Sequence, residues 1–445
     1  MRGKYFRYLY ENLDGGLFHT GNIYDKEEKK NTNYIYMVGG YCRNVKKEQK
    51  PGSYSFRMTH LSGFSENPLR YIEEDVISYQ IDILVLGCYT VKYVNRLIDI
   101  VKEHEIETLI LPYLAPIQRL MLEEEAKSGS QGGRHFISFL QDPYKFLKKF
   151  GVENVYFLYG NGEAIDREPE ELEQGFHFEV IDDELRRLIW KMEGYFVPVV
   201  RAGYIVENGW LFYFGMYGLD MQSISGFILD YFSNDENICE LSENIQEDYT
   251  AHLGRLAQNY MRKFGNVPIT SVIMFEGPLY AFPSENDSLM TEKEFSRKER
   301  CEICARYERN GTGACMIGCT YRKDHDVMQH HKGKGVEEMR FGMLMLGNVN
   351  LNRYVSEIIT RFWRVRLRIR GICVPNCGRG EDWNHQILEM SSSEDRVYWI
   401  CGKHDITSAG VVSDIVMSAQ NGRFLSVDRG QGCCFAGYII PKEDF

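Results

Sequence analysis

At 445 residues the chain is too long for one simple domain, unless that domain is large or decorated. No apolar run reaches the ~18–20 residues a membrane span needs, and the opening MRGKYFRYLYENLDGG lacks the apolar core of a signal peptide, so a cytoplasmic protein is expected, its twelve cysteines serving as thiols or metal ligands rather than disulfides. The net charge of -11 argues against indiscriminate nucleic-acid binding by the whole chain and leaves room for a local basic patch.

In chain order, residues 17–24 and 34–38 read as strands separated by a charged turn, and 46–51 as a polar loop. A strand over 53–60 leads into a helix-like stretch at 68–79. Residues 81–118 follow and carry the clearest pattern in the chain. Ile81, Ile83, Leu84, Val85 and Leu86 form a short apolar run, read as a buried strand. After a loop at 87–92, Val94, Leu97, Ile98 and Val101 fall at helical spacing. Residues 108–111 make a second buried strand, closed by Pro112. This is a β-loop-α-β unit whose loop leaves the C-terminal end of its first strand, where α/β folds place their chemistry.

Further on, 118–127 continues as helix, 128–133 is a Gly/Ser loop, 143–150 is helix and 152–159 strand. The acidic run at 167–174 reads as a solvated loop. Strand-like aromatic runs lie within 195–217, notably 210–214. Leu253, Leu256, Tyr260 and Phe264 mark an amphipathic helix over 248–264, and 269–276 is a strand. A polar, Cys-rich stretch at 284–335 interrupts the αβ pattern and is read as an insertion. The pattern resumes with strand 339–346, helix 354–362, strands 364–374 and 397–401, helix 408–419 and a closing strand at 437–441.

The 81–118 unit resembles the metal-binding segment of metallo-β-lactamase-fold hydrolases, in which an "hDhLhLSH" strand runs into an HxHxDH loop and a helix. Asp82, Leu84 and Leu86 match the strand, and Val94, Asn95 and Leu97 the helix start. At the ligand positions stand Cys88, Thr90, Lys92 and Tyr93. The "hLhTGD" strand of the family reads Leu344, Met345, Leu346, Gly347, Asn348, and its "PHHG" turn reads Pro375, Asn376, Cys377, Gly378. Asp382, Trp383 and Asn384 follow, where one branch carries "NWN". An early "DCG"-like turn has become Val38, Gly39, Gly40.

The resemblance implies an α/β (α+β) fold, an αββα sandwich. Residues 1–283 hold its first part, 284–335 the insertion and 336–445 the second part, with the halves meeting near 230–270. It also implies a lost dinuclear centre. Asn348 lacks the bridging negative charge. A Lys92 ammonium would repel a dication by several kcal/mol, at an effective dielectric of about 20. Ligands relocated to His19, His60 or His135 are the alternative, although a lone histidine is usually a packed or surface residue. The vestigial set Cys88, Thr90, Lys92, Tyr93, Asn348 and Cys377 is expected at one edge of the sandwich.

Two features lie outside this framework. Cys301-x2-Cys304-x10-Cys315-x3-Cys319 has the pairing and spacing of a tetrahedral thiolate site. Thiolates also suit iron–sulfur clusters. One structural zinc is favoured, because the insertion is polar and needs a staple. His325, His330 or His331 are near enough in sequence to replace one cysteine. Arg364, Arg366, Arg368 and Arg370 alternate with Val365, Leu367 and Ile369, which predicts one guanidinium-lined strand face. Such a face would meet RNA, DNA or a nucleotide, or would be paired with acidic residues of the same protein. The second reading is favoured.

The functional expectation is a catalytically inactive metallo-β-lactamase-fold protein, a pseudoenzyme that binds or scaffolds within a multi-subunit protein complex. Long, decorated relatives often occur in prokaryotic multi-gene systems, including antiviral defence. A metal-dependent hydrolase or nuclease with relocated ligands, and a nucleic-acid-binding module, are the alternatives.

Overall fold

A computed structural model describes residues 4–12, 16–25, 30–39, 80–128, 134–218, 270–279, 287–289, 315–317, 342–391, 397–401, 409–418, 423–426 and 432–441, with short helical pieces between 223 and 264. The first half comprises β1 (Lys4–Asn12), β2 (Gly16–Asp25), β3 (Lys30–Gly39), β4 (Gln80–Leu86), α1 (Val91–Glu103), β5 (Glu105–Pro112), α2 (Pro116–Ser128), α3 (Arg134–Gln141), α4 (Pro143–Lys148) and β6 (Asn154–Asn161). Next come β7 (Gly175–Val180), α5 (Asp183–Glu193), β8 (Val199–Glu207), β9 (Trp210–Tyr217), β10 (Ser271–Pro278), β11 (Asp287–Leu289) and β12 (Cys315–Ile317). The last are β13 (Gly342–Met345), α6 (Leu351–Phe362), β14 (Ile369–Cys373), β15 (Tyr398–Cys401), α7 (Ala409–Ser418), β16 (Arg423–Ser426) and β17 (Gly432–Pro441). For β1, β11, β12, β16 and β17 only the backbone is described.

The fold is mixed α/β, built on one curled sheet. In its first limb β17, β1, β2 and β3 are antiparallel neighbours, and β3, β4, β5 and β6 run parallel. β8 joins β6 to β9 and carries β7 as an antiparallel companion. The second limb continues antiparallel through β9, β10 and β13, then parallel through β14, β15 and β16.

The apolar pattern explains the curl. In β4, Ile83 and Val85 point to one face, Leu84 and Leu86 to the other, and all four are buried. Ile83, Val85, Tyr34, Tyr36 and Ile110 pack against Trp210, Phe212, Phe214, Val272 and Met274 of the opposite limb. On the outer face of the first limb, Leu84, Leu86, Leu109 and Leu111 meet Val94, Leu97, Ile98 and Val101 of α1. On the outer face of the second limb, Ile273, Phe275, Leu344 and Trp399 meet Val355, Ile358 and Phe362 of α6 and Val411 and Ile415 of α7. Helices thus cover both outer faces, and three apolar cores separate the layers. The limbs are also tied by hydrogen bonds. The Tyr36 hydroxyl donates to Val272 O (2.6 Å), and Val272 N donates to Gly87 O (2.9 Å).

Several expectations change. Residues 364–374 are not one strand. Trp363–Arg368 is a 3-10 helix, and β14 starts only at Ile369. The buried residues of that turn, Val365 and Arg368, are three apart, the 3-10 repeat. The acidic run at 167–174 is not merely a solvated loop. Pro169 and Leu172 are buried there, and two of its glutamates hold arginines. β8 pairs with both β6 and β9, and Trp210, Phe212 and Phe214 of β9 pack with the first limb's Ile83, Val85 and Tyr36. The described part of the 248–264 helix is helical, with Tyr260 and Phe264 packed on the first limb's outer core. The strand and helix expected at 53–60 and 68–79 lie outside the described residues.

Candidate functional site at the strand ends

Three parallel strands end at one place. β4 ends at Leu86, and the loop 87–90 turns into α1. Thr90 is the N-cap of that helix, and its hydroxyl accepts from Tyr93 N at 3.4 Å. β13 ends at Met345 and turns through Gly347 and Asn348. Gly347 has φ +63°, and a Cβ there would come 2.1 Å from Ser271 Oγ, so the turn needs glycine. β14 ends at Cys373 and enters the short 3-10 turn Pro375–Gly378, where Asn376 is also left-handed, at φ 48°.

These loops knit together through amides. Asn348 Nδ2 donates to Cys88 Sγ (3.1 Å), and Asn348 N donates to Ser271 Oγ (2.9 Å). Asn376 Nδ2 donates to Asn348 O (3.1 Å) and to Asp382 Oδ2 (2.9 Å). Asn350 Nδ2 reaches the other carboxylate oxygen, Asp382 Oδ1, at 2.9 Å. Burial is the main reason the Asp382 carboxyl sits above its ordinary range, and the neighbouring Glu381 adds to it. Tyr36 sits beneath the cluster. Burial first, then the Cys88 and Cys373 thiols beside it, push its hydroxyl well above the usual tyrosine value, so it acts as a hydrogen-bond donor.

Of the six positions expected to share one edge, Cys88 and Asn348 are in contact and both buried. Thr90 caps α1, and Tyr93 packs into the first limb's outer core. Lys92 and Cys377 lie on α1 and on the 375–378 turn, and their side chains are outside the described residues. His19 is fully buried between the limbs, 3.5 Å from Glu276, whose other oxygen accepts from Trp210 Nε1 at 2.6 Å. His135 is exposed on α3, and His60 lies outside the described residues. Among the described residues no three His, Cys, Asp or Glu side chains gather as a metal site. Of the thiolate set, Cys315 lies in β12, and Cys301, Cys304 and Cys319 are outside the described residues.

The arginines do not share a strand face. Arg364 pairs with Glu168 at 2.8 Å on the surface. Arg368 is buried, pairs with Glu170 at 2.5 Å and donates to Leu279 O at 2.8 Å. Arg366 stacks on Trp363 at 3.5 Å, and Arg370 lies over the Tyr398 ring.

The described donors and acceptors of this edge are engaged with one another. Asn348 turns its NH2 toward the thiol rather than a lone pair toward a cation, and the Thr90 hydroxyl is committed to the helix cap.

Comparison with known protein families, with curated proteins and with solved structures finds no match.

Sequence reasoning missed Ser271, Asn350 and the role of Asn376. The last had a signal, since asparagine beside Pro375 and Gly378 is the residue type that tolerates the left-handed region in a turn.

Proposed function

We propose that this chain is a non-catalytic binding or scaffolding protein on an αββα framework of metallo-β-lactamase type. Its setting is a multi-subunit complex, with prokaryotic antiviral defence as the setting that the resemblance suggests. The observation that carries the reading is the Asn348–Cys88 hydrogen bond. It joins the β4 and β13 loops directly, at positions where the family places ligands on either side of a metal. The facing limbs with helices outside support the layer order, and the ends of β4, β13 and β14 supply the shared edge. The Cys301, Cys304, Cys315 and Cys319 set is proposed to hold one structural zinc, which would hold the insertion in order rather than enter a reaction.

Metal analysis of the purified full chain tests both parts. One zinc per chain, lost in Cys304→Ser while the sandwich stays folded, is the expected result. A further pair of metal ions, or anomalous peaks roughly 3.5–4 Å apart beside Cys88 and Asn348 after a Mn²⁺ soak, would replace this reading with the hydrolase alternative.

A further inference from the structure

β7 is an edge strand. It pairs antiparallel with β8, Gly175 opposite Val206 and Val180 opposite Val200, and among the described residues no strand pairs with its other side. An open row of backbone NH and C=O groups is a template for one more strand. Such edges are commonly blunted by a bulge or a charge, and β7 has both. Its register shifts between His177 and Glu179, and Glu179 is exposed. It also turns apolar side chains to solvent.

Side chains of a strand alternate, so Phe176, Phe178 and Val180 share one face. That face continues the core between the limbs. Phe178 packs against this core and lies 5.9 Å from the Phe214 ring, and Tyr156 of β6 lies 6.1 Å from Phe176 and 5.3 Å from Phe178. Beyond them the cover stops, with Phe176 42% and Val180 66% exposed. The row ends open, and a further strand with apolar residues at alternate positions would extend it.

Charge says what kind of strand fits. Residues 163–184, which contain β7, carry ten acidic residues and one arginine. Arg364, Arg368, Arg201 and Arg186 engage Glu168, Glu170, Asp182 and Asp183. Glu163, Asp166, Glu171, Glu173, Glu179 and Glu184 stand outside those pairs, and all six are exposed. Several lie beside β7 itself. Glu163 N donates to the Glu179 carboxylate, and the Glu173 carbonyl is 3.0 Å from His177 Nε2. A second copy of the chain would bring the same carboxylates against this edge, and like charges oppose that pairing.

We propose that the outer edge of β7 docks an extended, basic segment of another protein. The segment adds as a strand, sets alternate apolar side chains beside Phe176 and Val180, and brings lysines or arginines to the carboxylates around Glu179. The edge would be one partner contact of the binding protein proposed above and rests on that reading. Peptide binding tests the edge and metal content tests the reading, so either fails without the other.

The probe is a labelled hexapeptide of alternating lysine and valine, matched to the six residues of β7. Fluorescence anisotropy with the full chain is expected to show saturable binding at about 1 mM or below, weakening as salt rises. Two control peptides separate strand addition from charge alone. Glutamate in place of lysine should weaken binding by about tenfold or more. N-methylation of alternate backbone nitrogens keeps the charge, removes strand hydrogen bonds and should weaken it by about fivefold or more. Val180→Lys changes an exposed side chain, so it should fold normally and bind the lysine–valine peptide about fivefold more weakly. Amide hydrogen exchange needs no variant, and protection on adding the peptide should centre on residues 175–180. No saturable binding, equal binding of either control peptide, unchanged affinity in Val180→Lys, or protection centred elsewhere would each overturn the proposal. So would a dimer in sedimentation that Val180→Lys disperses, which would assign the edge to a second copy.

Discussion

Two groups of strand ends, which share β4, are built from opposite chemistry. At the C-terminal ends of β4, β13 and β14, the described contacts around Cys88 and Asn348 are neutral ones, between amides, a thiol and hydroxyls. At the N-terminal ends of β3, β4 and β5, the chain gathers charge. Lys30 pairs with Glu207, Asn33 N donates to Asp82 Oδ2 at 2.7 Å, and Gln80 Nε2 reaches Glu107 at 3.5 Å. Burial raises the Asp82 carboxyl from 3.8 to about 6, against the pull of the Asn33 NH, with repulsion from Glu107 and Glu207 adding to it. Glu107 is raised as well, mainly by burial. Around Cys88 and Asn348 the strand ends are thus held by neutral hydrogen bonds, with the Asp382 carboxyl accepting from Asn376 beside them. The opposite end carries acids that resist ionising.

Exchanging the chemistry of the two ends tests this contrast. Asn348→Asp should have the largest effect. It removes the donor to Cys88 and places a carboxylate in a buried neutral cluster, at a cost of about 3–5 kcal/mol. Urea unfolding at neutral pH measures it, and the loss should shrink in acid as the new carboxyl takes up a proton. A loss below about 1 kcal/mol would mean that a cation is at hand, and the contrast would fail.

Asp82→Asn should act in the other direction. The folded state holds the Asp82 proton more tightly than the unfolded chain. This group therefore leaves stability untouched below about pH 4 and lowers it increasingly up to about pH 6. The amide keeps an acceptor for Asn33 N and removes the charge. A gain of about 1–3 kcal/mol at pH 7 is expected, together with a flatter stability profile between pH 4 and 6. A variant that is less stable than wild type at pH 7 would show that the carboxylate is compensated after all.

Gly347→Ala sharpens the neutral end. A left-handed alanine pressed on Ser271 Oγ should cost about 1–2 kcal/mol, seen as a lower melting temperature. Lys30→Met sharpens the charged end and should be the smallest change, about 0.5 kcal/mol, because Lys30 is half exposed. Its clearer signature is a further rise of the Asp82 titration in carboxyl NMR, since Lys30 is the cation that holds that value down.

Much of the framework was legible because burial on two faces leaves a continuous apolar run, as in Ile83 to Leu86, and a helix packed on one side leaves a 3.6-residue spacing, as in Val94 to Val101. β7 and α5 left weaker marks. GFHFEV is only half covered, and α5 exposes Trp190 where a buried stripe would be sought. The alternation in WRVRLR looked like a strand because a period of two and a period of three agree over so few residues. At the site, Cys88 and Asn348 were legible as the residues following two strands. Their bond, the Asn376 link to Asp382, and the Glu168 and Glu170 partners of Arg364 and Arg368 depend on loops far apart in sequence.

The pairing of β1 with β17 bears on how the protein is made. Lys4 lies opposite Ile439, and Glu11 opposite Gly432, so one edge of β1 is satisfied only by residues synthesised long after it. At ~5–20 residues per second, β1 and β2 wait on the order of 20 to 90 s for that neighbour. Throughout that interval a row of unpaired backbone groups is open to other chains. Slow translation or a truncated message should therefore show itself first as aggregation of nascent chains, and a chaperone that masks strand edges should relieve it.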